Sequence, residues 1–197
     1  MTAVLIFAKA PIGGTVKTRL AAEVGDAAAV EAYRRVGTQV ARQVGSQYRL
    51  SVWYDPPEAE DVARAWLGDH EYLVQAAGDL GSRMEHAFRF HFGRGDGPVI
   101  AIGADAPGVT ADTIAAAEAA LRECDVVLGP ALDGGYYLLG LNREHPELLS
   151  DVPWGTADVL GITVARCRAS DLAVRQLEAL RDLDTAADLQ ELGLARS

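Results

Sequence analysis

Ala3-Val-Leu-Ile-Phe-Ala8, followed by Lys9-Ala-Pro-Ile-Gly-Gly-Thr-Val-Lys-Thr-Arg19, is the stretch from which the fold is read. An unbroken apolar run bounded by Pro11 and two glycines predicts a buried strand that feeds a flexible loop. The loop holds Lys9, Lys17 and Arg19 and no acidic residue, although the whole chain has a formal net charge of −10. Positive charge gathered locally in an acidic protein suits a specific anion, most simply a phosphate group. A solvated basic loop after an ordinary strand accounts for the same residues. The other strand ends have to decide between the two.

Outward from this stretch the chain alternates. Further strands are predicted at Tyr48–Tyr54, Tyr72–Gln75, Val99–Gly103, Asp125–Gly129 and Tyr136–Leu141. Between them lie Ala-rich segments of helical spacing, Asp26–Val44, Glu58–Leu67, Leu80–Phe92 and Ala111–Glu123. Such alternation predicts an α/β fold, a mostly parallel Rossmann-like sheet with helices on both faces. After Gly134 a strand follows a Gly-Gly turn with no helix between, so the C-terminal part is expected to be mixed. A helix near Ala157–Arg168, a short strand near Ala173–Gln176 and a closing helix from Thr185 complete the pattern.

With 197 residues, 49% of them hydrophobic, the chain is expected to form one domain spanning 1–197. A sequence pI near 4.8 argues against nucleic acid, which normally needs a broad basic face. No uncharged apolar stretch approaches the ~18 residues of a membrane span, and the first apolar run lacks the marks of a signal peptide. Cys124 and Cys167 offer no disulfide framework and suit a reducing cytoplasm. The sequence leaves room for a homodimer and says little more on assembly.

Ligands of open parallel sheets bind at the carboxyl ends of the strands. Gly103-Ala-Asp105-Ala-Pro107 and Gly129-Pro-Ala-Leu-Asp133-Gly-Gly135 follow two of the predicted strands, and Arg181-Asp-Leu-Asp184 precedes the last helix. Asp105 and Asp184, brought to a basic loop, form the pattern that holds Mg²⁺ or Mn²⁺ on a diphosphate. Such ions take hard oxygen ligands, typically one or two carboxylates plus substrate phosphates. Each residue also has a plain structural role available. Asp105 suits a turn before Pro107, Asp184 suits an N-cap, Asp133-Gly-Gly suits a hairpin, and Gly78-Asp-Leu-Gly-Ser-Arg83 suits a capped helix start. Tyr136, Tyr137 and Trp154 suit either core or ligand cleft.

Several motifs are absent. Gly13-Gly-Thr-Val-Lys17-Thr18 is half a P-loop with Val16 where glycine is needed. The four histidines lack zinc spacing, and neither a nucleophile elbow nor a dinucleotide-binding glycine motif occurs. Metal-assisted transfer from an activated nucleotide is the chemistry that remains.

Phe7-Ala-Lys-Ala-Pro11, Val16-Lys-Thr-Arg-Leu20, Gly78-Asp-Leu-Gly-Ser-Arg-Met84, Ile102-Gly-Ala-Asp-Ala-Pro-Gly108, Leu128-Gly-Pro-Ala-Leu-Asp-Gly-Gly-Tyr-Tyr137, Trp154-Gly-Thr156 and Asp182-Leu-Asp-Thr-Ala-Ala-Asp-Leu189 together resemble the DUF2064 group of the GT-A superfamily. Members are described as glycosyltransferases, some connected with arsenosugar biosynthesis. The resemblance implies a nucleotide-diphospho-sugar transferase fold, which also hosts nucleotidylyltransferases. It implies a metal on Asp105 and Asp184, with Lys17 and Arg19 facing phosphate. Three departures stand out: Asp105-Ala-Pro is not a full Asp-x-Asp, Ala186 stands where sugar-acid nucleotidylyltransferases have proline, and the glycine-rich loop of those enzymes is missing.

The expected activity is glycosyl transfer from a nucleoside diphosphate sugar to a small acceptor. The alternatives are nucleotidylyl transfer from a triphosphate to a phosphorylated molecule, and a non-catalytic nucleotide-binding protein. Ala8, Lys9, Lys17, Arg19, Gly78 and Arg83 are assigned to the nucleotide and its phosphates. Gly134, Tyr136, Trp154 and Thr156 are assigned to the acceptor side. Asp105 and Asp133 are the catalytic candidates, with Asp133 the general base if the anomeric centre inverts.

Overall fold

The computed structural model describes residues 1–194. In chain order its elements are β1 (Ala3–Lys9), α1 (Thr18–Val24), α2 (Asp26–Gly45), β2 (Leu50–Asp55), α3 (Glu60–Leu67), β3 (Glu71–Val74) and α4 (Leu80–Gly93). Then follow β4 (Val99–Gly103), α5 (Ala111–Leu121), β5 (Val126–Pro130), β6 (Tyr136–Leu141), α6 (Val159–Ala169), β7 (Val174–Gln176) and α7 (Ala186–Glu191). Every predicted strand and helix is present, with ends moved by one to a few residues.

The seven strands form one sheet in the order β3-β2-β1-β4-β6-β5-β7. Strand β6 alone runs against the others: it pairs antiparallel with both β4 and β5, while β5 and β7 pair in parallel. The cause is local. The Gly134-Gly135 turn returns the chain directly, with no crossover helix to carry it back, so the next strand has to reverse.

Side chains alternate across β1, and each face of the sheet has its own core. Val4, Ile6 and Ala8 join residues of α1, α2, α3 and α5 on one face. Leu5 packs with Trp53, Met84, Phe88 and Cys167 on the other, beneath α4 and α6. Among the described residues no helix is long and apolar enough to cross a membrane.

Between β1 and β4 the strand order turns from leftward to rightward. Loops leaving two adjacent parallel strands there part to opposite sides and open a crevice at their carboxyl ends. The loop after β1 and Asp105 after β4 both begin at this point.

Candidate functional site

The loop after β1 does not stay open as far as Arg19. Residues Thr18–Val24 form α1, and Lys17 sits at its N-cap with φ 48°, in the left-handed region. That backbone turns the Lys17 side chain inward. Its Nζ lies 2.7 Å from Oδ2 of Asp105 and 3.0 Å from Oδ1 of Asp184. The Lys17 side chain is only 9% exposed, against 32% for both partners. Burial opposes the charge on this amine, but the charges of Asp105 and Asp184 outweigh it and hold the ammonium form well above its ordinary range. The sequence pattern assigns Lys17 to a phosphate and a cation to the space between Asp105 and Asp184. In the structure the ammonium of Lys17 has that place.

The segment before α7 brings up further carboxylates. Leu180 donates its N–H to the carbonyl of Pro130, and Leu183 donates to the carbonyl of Asp105, which pins the segment across the ends of β5 and β4. Leu183 is fully buried, while its neighbours Asp182 and Asp184 line the crevice, Asp182 in its smaller part and Asp184 in its larger. Asp184 is not the helix cap. Thr185 is, in a reciprocal capping box with Asp188, whose Oδ2 also accepts the Asp184 N–H. Arg181 binds the other oxygen of Asp188. With the cap supplied by its neighbour, the Asp184 carboxylate is left for the crevice.

Asp133, Asp182 and Asp184 offer ligand oxygens within 4.8 Å of one another. Asp133 lies in the turn before β6, where its Oδ1 accepts the Gly135 N–H at 2.8 Å; it therefore also has the turn role foreseen for it. Among the described residues, four carboxylates stand around this point, counting Asp105, and two cations, Lys17 and Arg19. Arg19 is 70% exposed, with Nη1 3.6 Å from Asp184 Oδ2. Four negative charges against two positive leave two unmatched. Burial, together with the charges of Asp105 and Asp133, pushes the Asp182 carboxyl up to about 6. A hard, all-oxygen donor set with two unbalanced charges fits one divalent cation such as Mg²⁺ or Mn²⁺.

A raised carboxyl pKa means that the folded state prefers the protonated acid. That preference favours folding below the unfolded value near 3.8 and turns into a cost as pH rises through about 6. In chelator, Asp182→Asn should therefore melt higher than the parent at pH 8, by about 2–4 °C, and nearly level with it at pH 4. This corresponds to roughly 1 kcal/mol once partial exposure of the group is allowed for. Parallel melting curves at both pH values would contradict the assignment.

Two connected pockets open here. The larger, about 680 Å³, is lined by Ala8, Lys9, Lys17, Arg19, Gly78 and Arg83, all six of the residues expected to face a nucleotide. Arg83 is held in place: its Nε donates to the Gly78 carbonyl at 3.0 Å, and Nη1 lies 3.2 Å from both Gln75 Oε1 and Asp55 Oδ2. Asp79 caps α4 through the Ser82 N–H, so this loop both starts a helix and borders the cleft. The smaller pocket, about 310 Å³, is lined by Asp133, Tyr136, Trp154 and Thr156, and shares Asp105, Phe7, Tyr33, Leu80 and Trp154 with the larger. Tyr136 and Trp154 meet edge to face at 6.1 Å between ring centres.

Gly134 does not line either pocket. At φ 94° it packs so closely that a Cβ would lie 2.2 Å from the Ala157 carbonyl oxygen. Its part is to let the turn approach the start of α6. Gly81 serves α4 in the same way, since a Cβ there would meet the Leu149 carbonyl at 2.1 Å and Trp154 Nε1 at 2.9 Å. Asp182, Gln75, Asp55 and Tyr33 also face or support the crevice, and the sequence pattern assigns them no role. For Asp182 the signal is present, as two aspartates flanking a single leucine just before the last helix.

A family model described as an uncharacterized protein conserved in bacteria, DUF2064, matches residues 38–156. Among solved structures, a provisionally named nucleotide-diphospho-sugar transferase from Desulfovibrio desulfuricans G20 is 36% identical. The match covers 97% of this chain and 85% of that one, with a TM-score of 0.91. CMP:2-keto-3-deoxy-manno-octonic acid synthetase complexed with CTP matches at 13% identity over 97% and 96% of the two chains, TM-score 0.61. Rv0371c from Mycobacterium tuberculosis H37Rv, in complex with manganese, matches at 19% identity over 99% and 98%, TM-score 0.58. The last two likenesses are ones of fold. No curated protein matches the chain.

Proposed function

Starting from a chain that belongs to DUF2064, a family of uncharacterized bacterial proteins, we propose a transferase that moves a sugar from a nucleoside diphosphate sugar to a small acceptor. The observation that carries this reading is the division of one crevice at the switch point of the sheet. A cleft with four basic side chains, Lys9, Lys17, Arg19 and Arg83, joins through Asp105 a pocket whose charged lining is acidic throughout. The 36% identical relative, named for nucleotide-diphospho-sugar transfer, supports the same reading.

In this account Lys9 and Arg19 take the diphosphate by charge-assisted hydrogen bonds, and Arg83, already fixed by Gln75 and Asp55, borders the base or ribose. Asp105 positions Lys17. Asp182 and Asp184 would hold Mg²⁺ or Mn²⁺, which when bound supplies neutralisation of the leaving diphosphate. The acceptor oxygen bonds to the anomeric carbon as the bond from that carbon to the diphosphate oxygen breaks, the electron pair leaving with the diphosphate. The acceptor proton passes to Asp133. One of its oxygens is anchored by Gly135 N–H, which leaves Oδ2 to accept it. A cytoplasmic location, with both cysteines reduced, belongs to this reading.

Nucleotidylyl transfer is the second reading, favoured by the fold shared with a synthetase that binds CTP. Both require a bound nucleotide, which thermal melting detects because a ligand that binds only the folded chain raises Tm. We expect nucleoside diphosphates to raise Tm by several degrees with Mn²⁺ and by little in chelator. Equal shifts with and without metal would remove the cation from the account; no shift with any nucleotide would remove the nucleotide.

A further inference from the structure

We propose that the smaller pocket accepts only a molecule without negative charge: a compact acceptor with an apolar or aromatic body, neutral or cationic, with its nucleophile at Asp133. This rests on the sugar-transfer reading and narrows it to one class of acceptor. The argument begins with the partition of charge. Among the described residues, the charged side chains lining the smaller pocket are Asp105, Asp133 and Asp182, and no Lys, Arg or His lines it. Among the described residues, the basic groups of the crevice all lie on the side of the larger cleft. Of these, Lys17 is paired with Asp105 and Asp184 at 2.7 and 3.0 Å.

A phosphate or carboxylate entering the pocket would lose water and find no cationic side chain among the described lining residues, only the carboxylates of Asp105, Asp133 and Asp182. Removing an unpaired charge from water is among the most costly steps in binding. A divalent cation held by Asp182 and Asp184 would neutralise Asp182 but leave Asp133 in the wall, and the donor diphosphate would bring further negative charge beside it. The rest of the wall suits an uncharged body. Phe7, Met84, Tyr136, Trp154 and Val159 present rings and methyl groups, and the volume of about 310 Å³ is at the small end of ligand pockets. Aromatic rings and carboxylates in one wall also suit an ammonium group.

The test uses the full chain with Mg²⁺ and inorganic pyrophosphate, the latter filling the basic cleft whatever the natural base. Three probes of similar size are titrated by ligand-observed NMR: 2-phenylethanol, 2-phenylethylamine and phenyl phosphate. Each is repeated on Thr156→Trp, which narrows the pocket from an exposed position. The alcohol and the amine are expected to bind and to weaken at least tenfold in Thr156→Trp. Phenyl phosphate should bind at least tenfold more weakly than the alcohol and be indifferent to the substitution. Phenyl phosphate binding as tightly as the alcohol and weakened by Thr156→Trp would overturn the proposal. So would an alcohol and an amine that ignore the substitution. Calorimetry of pyrophosphate on the same sample tests the parent reading separately: a chain that takes the alcohol but not pyrophosphate has the pocket proposed here and is no diphosphate enzyme.

Discussion

Lys17→Met is expected to lower Tm by about 4–10 °C and to abolish measurable transfer. The ammonium of Lys17 lies between Asp105 and Asp184 and is largely buried, so its loss leaves two carboxylates facing each other. Removing one partner of a fully buried pair costs ~3–5 kcal/mol; both carboxylates here are one-third exposed, which reduces the figure to about 2–3 kcal/mol. Methionine keeps the unbranched stem and meets the same left-handed backbone cost, so the comparison isolates the charge. Asp105→Asn added to Lys17→Met should restore part of the lost stability, because it removes one of the stranded charges. Melting curves of the two single variants and the double variant check this. Strictly additive effects would show that the three groups do not act as a unit.

Asp133→Ala should reduce transfer by about a hundredfold to ten-thousandfold, the range associated with loss of a general base. Nucleotide affinity should change little, because a group that acts on the acceptor proton contributes in the transition state and not to ground-state binding of the donor. The turn itself tolerates the change less well than an exposed position would, since Oδ1 holds the Gly135 N–H. Asp133→Asn keeps that bond and serves as the control for misfolding. Should either variant lose metal-dependent nucleotide binding, Asp133 is a metal ligand and the proton must go elsewhere.

Much of the architecture could be read along the chain because its signals are local. Apolar strand runs and helical spacing mark thirteen of the fourteen named elements, and the Gly134-Gly135 turn announces that β6 runs antiparallel. Helix α1 escaped notice for a physical reason: it has seven residues and no side-chain cap, and it is held by burial of Leu20. Strand order escaped as well, since nothing in β6 says that it inserts between β4 and β5. The site shows the same division. Basic residues after β1 and carboxylates after β4 and β5 could be found at the sheet edge, where geometry gathers ligands. That Lys17 binds carboxylates 88 and 167 residues away could not, because a distant pairing leaves no local trace. The cap of α7 differed by one position. Thr185 and Asp188 form a capping box, and a single-residue shift frees Asp184.

The most direct measurement is product analysis of the purified chain with Mn²⁺, offered a panel of nucleotide sugars and, separately, nucleoside triphosphates with phosphorylated small molecules. A nucleotide-diphospho-sugar transferase releases nucleoside diphosphate, slowly to water and faster when a neutral acceptor fills the smaller pocket, and Asp133→Ala suppresses the faster rate. Inert nucleotide sugars, together with pyrophosphate released from a triphosphate and a phosphorylated acceptor, would contradict sugar transfer and establish nucleotidylyl transfer in its place.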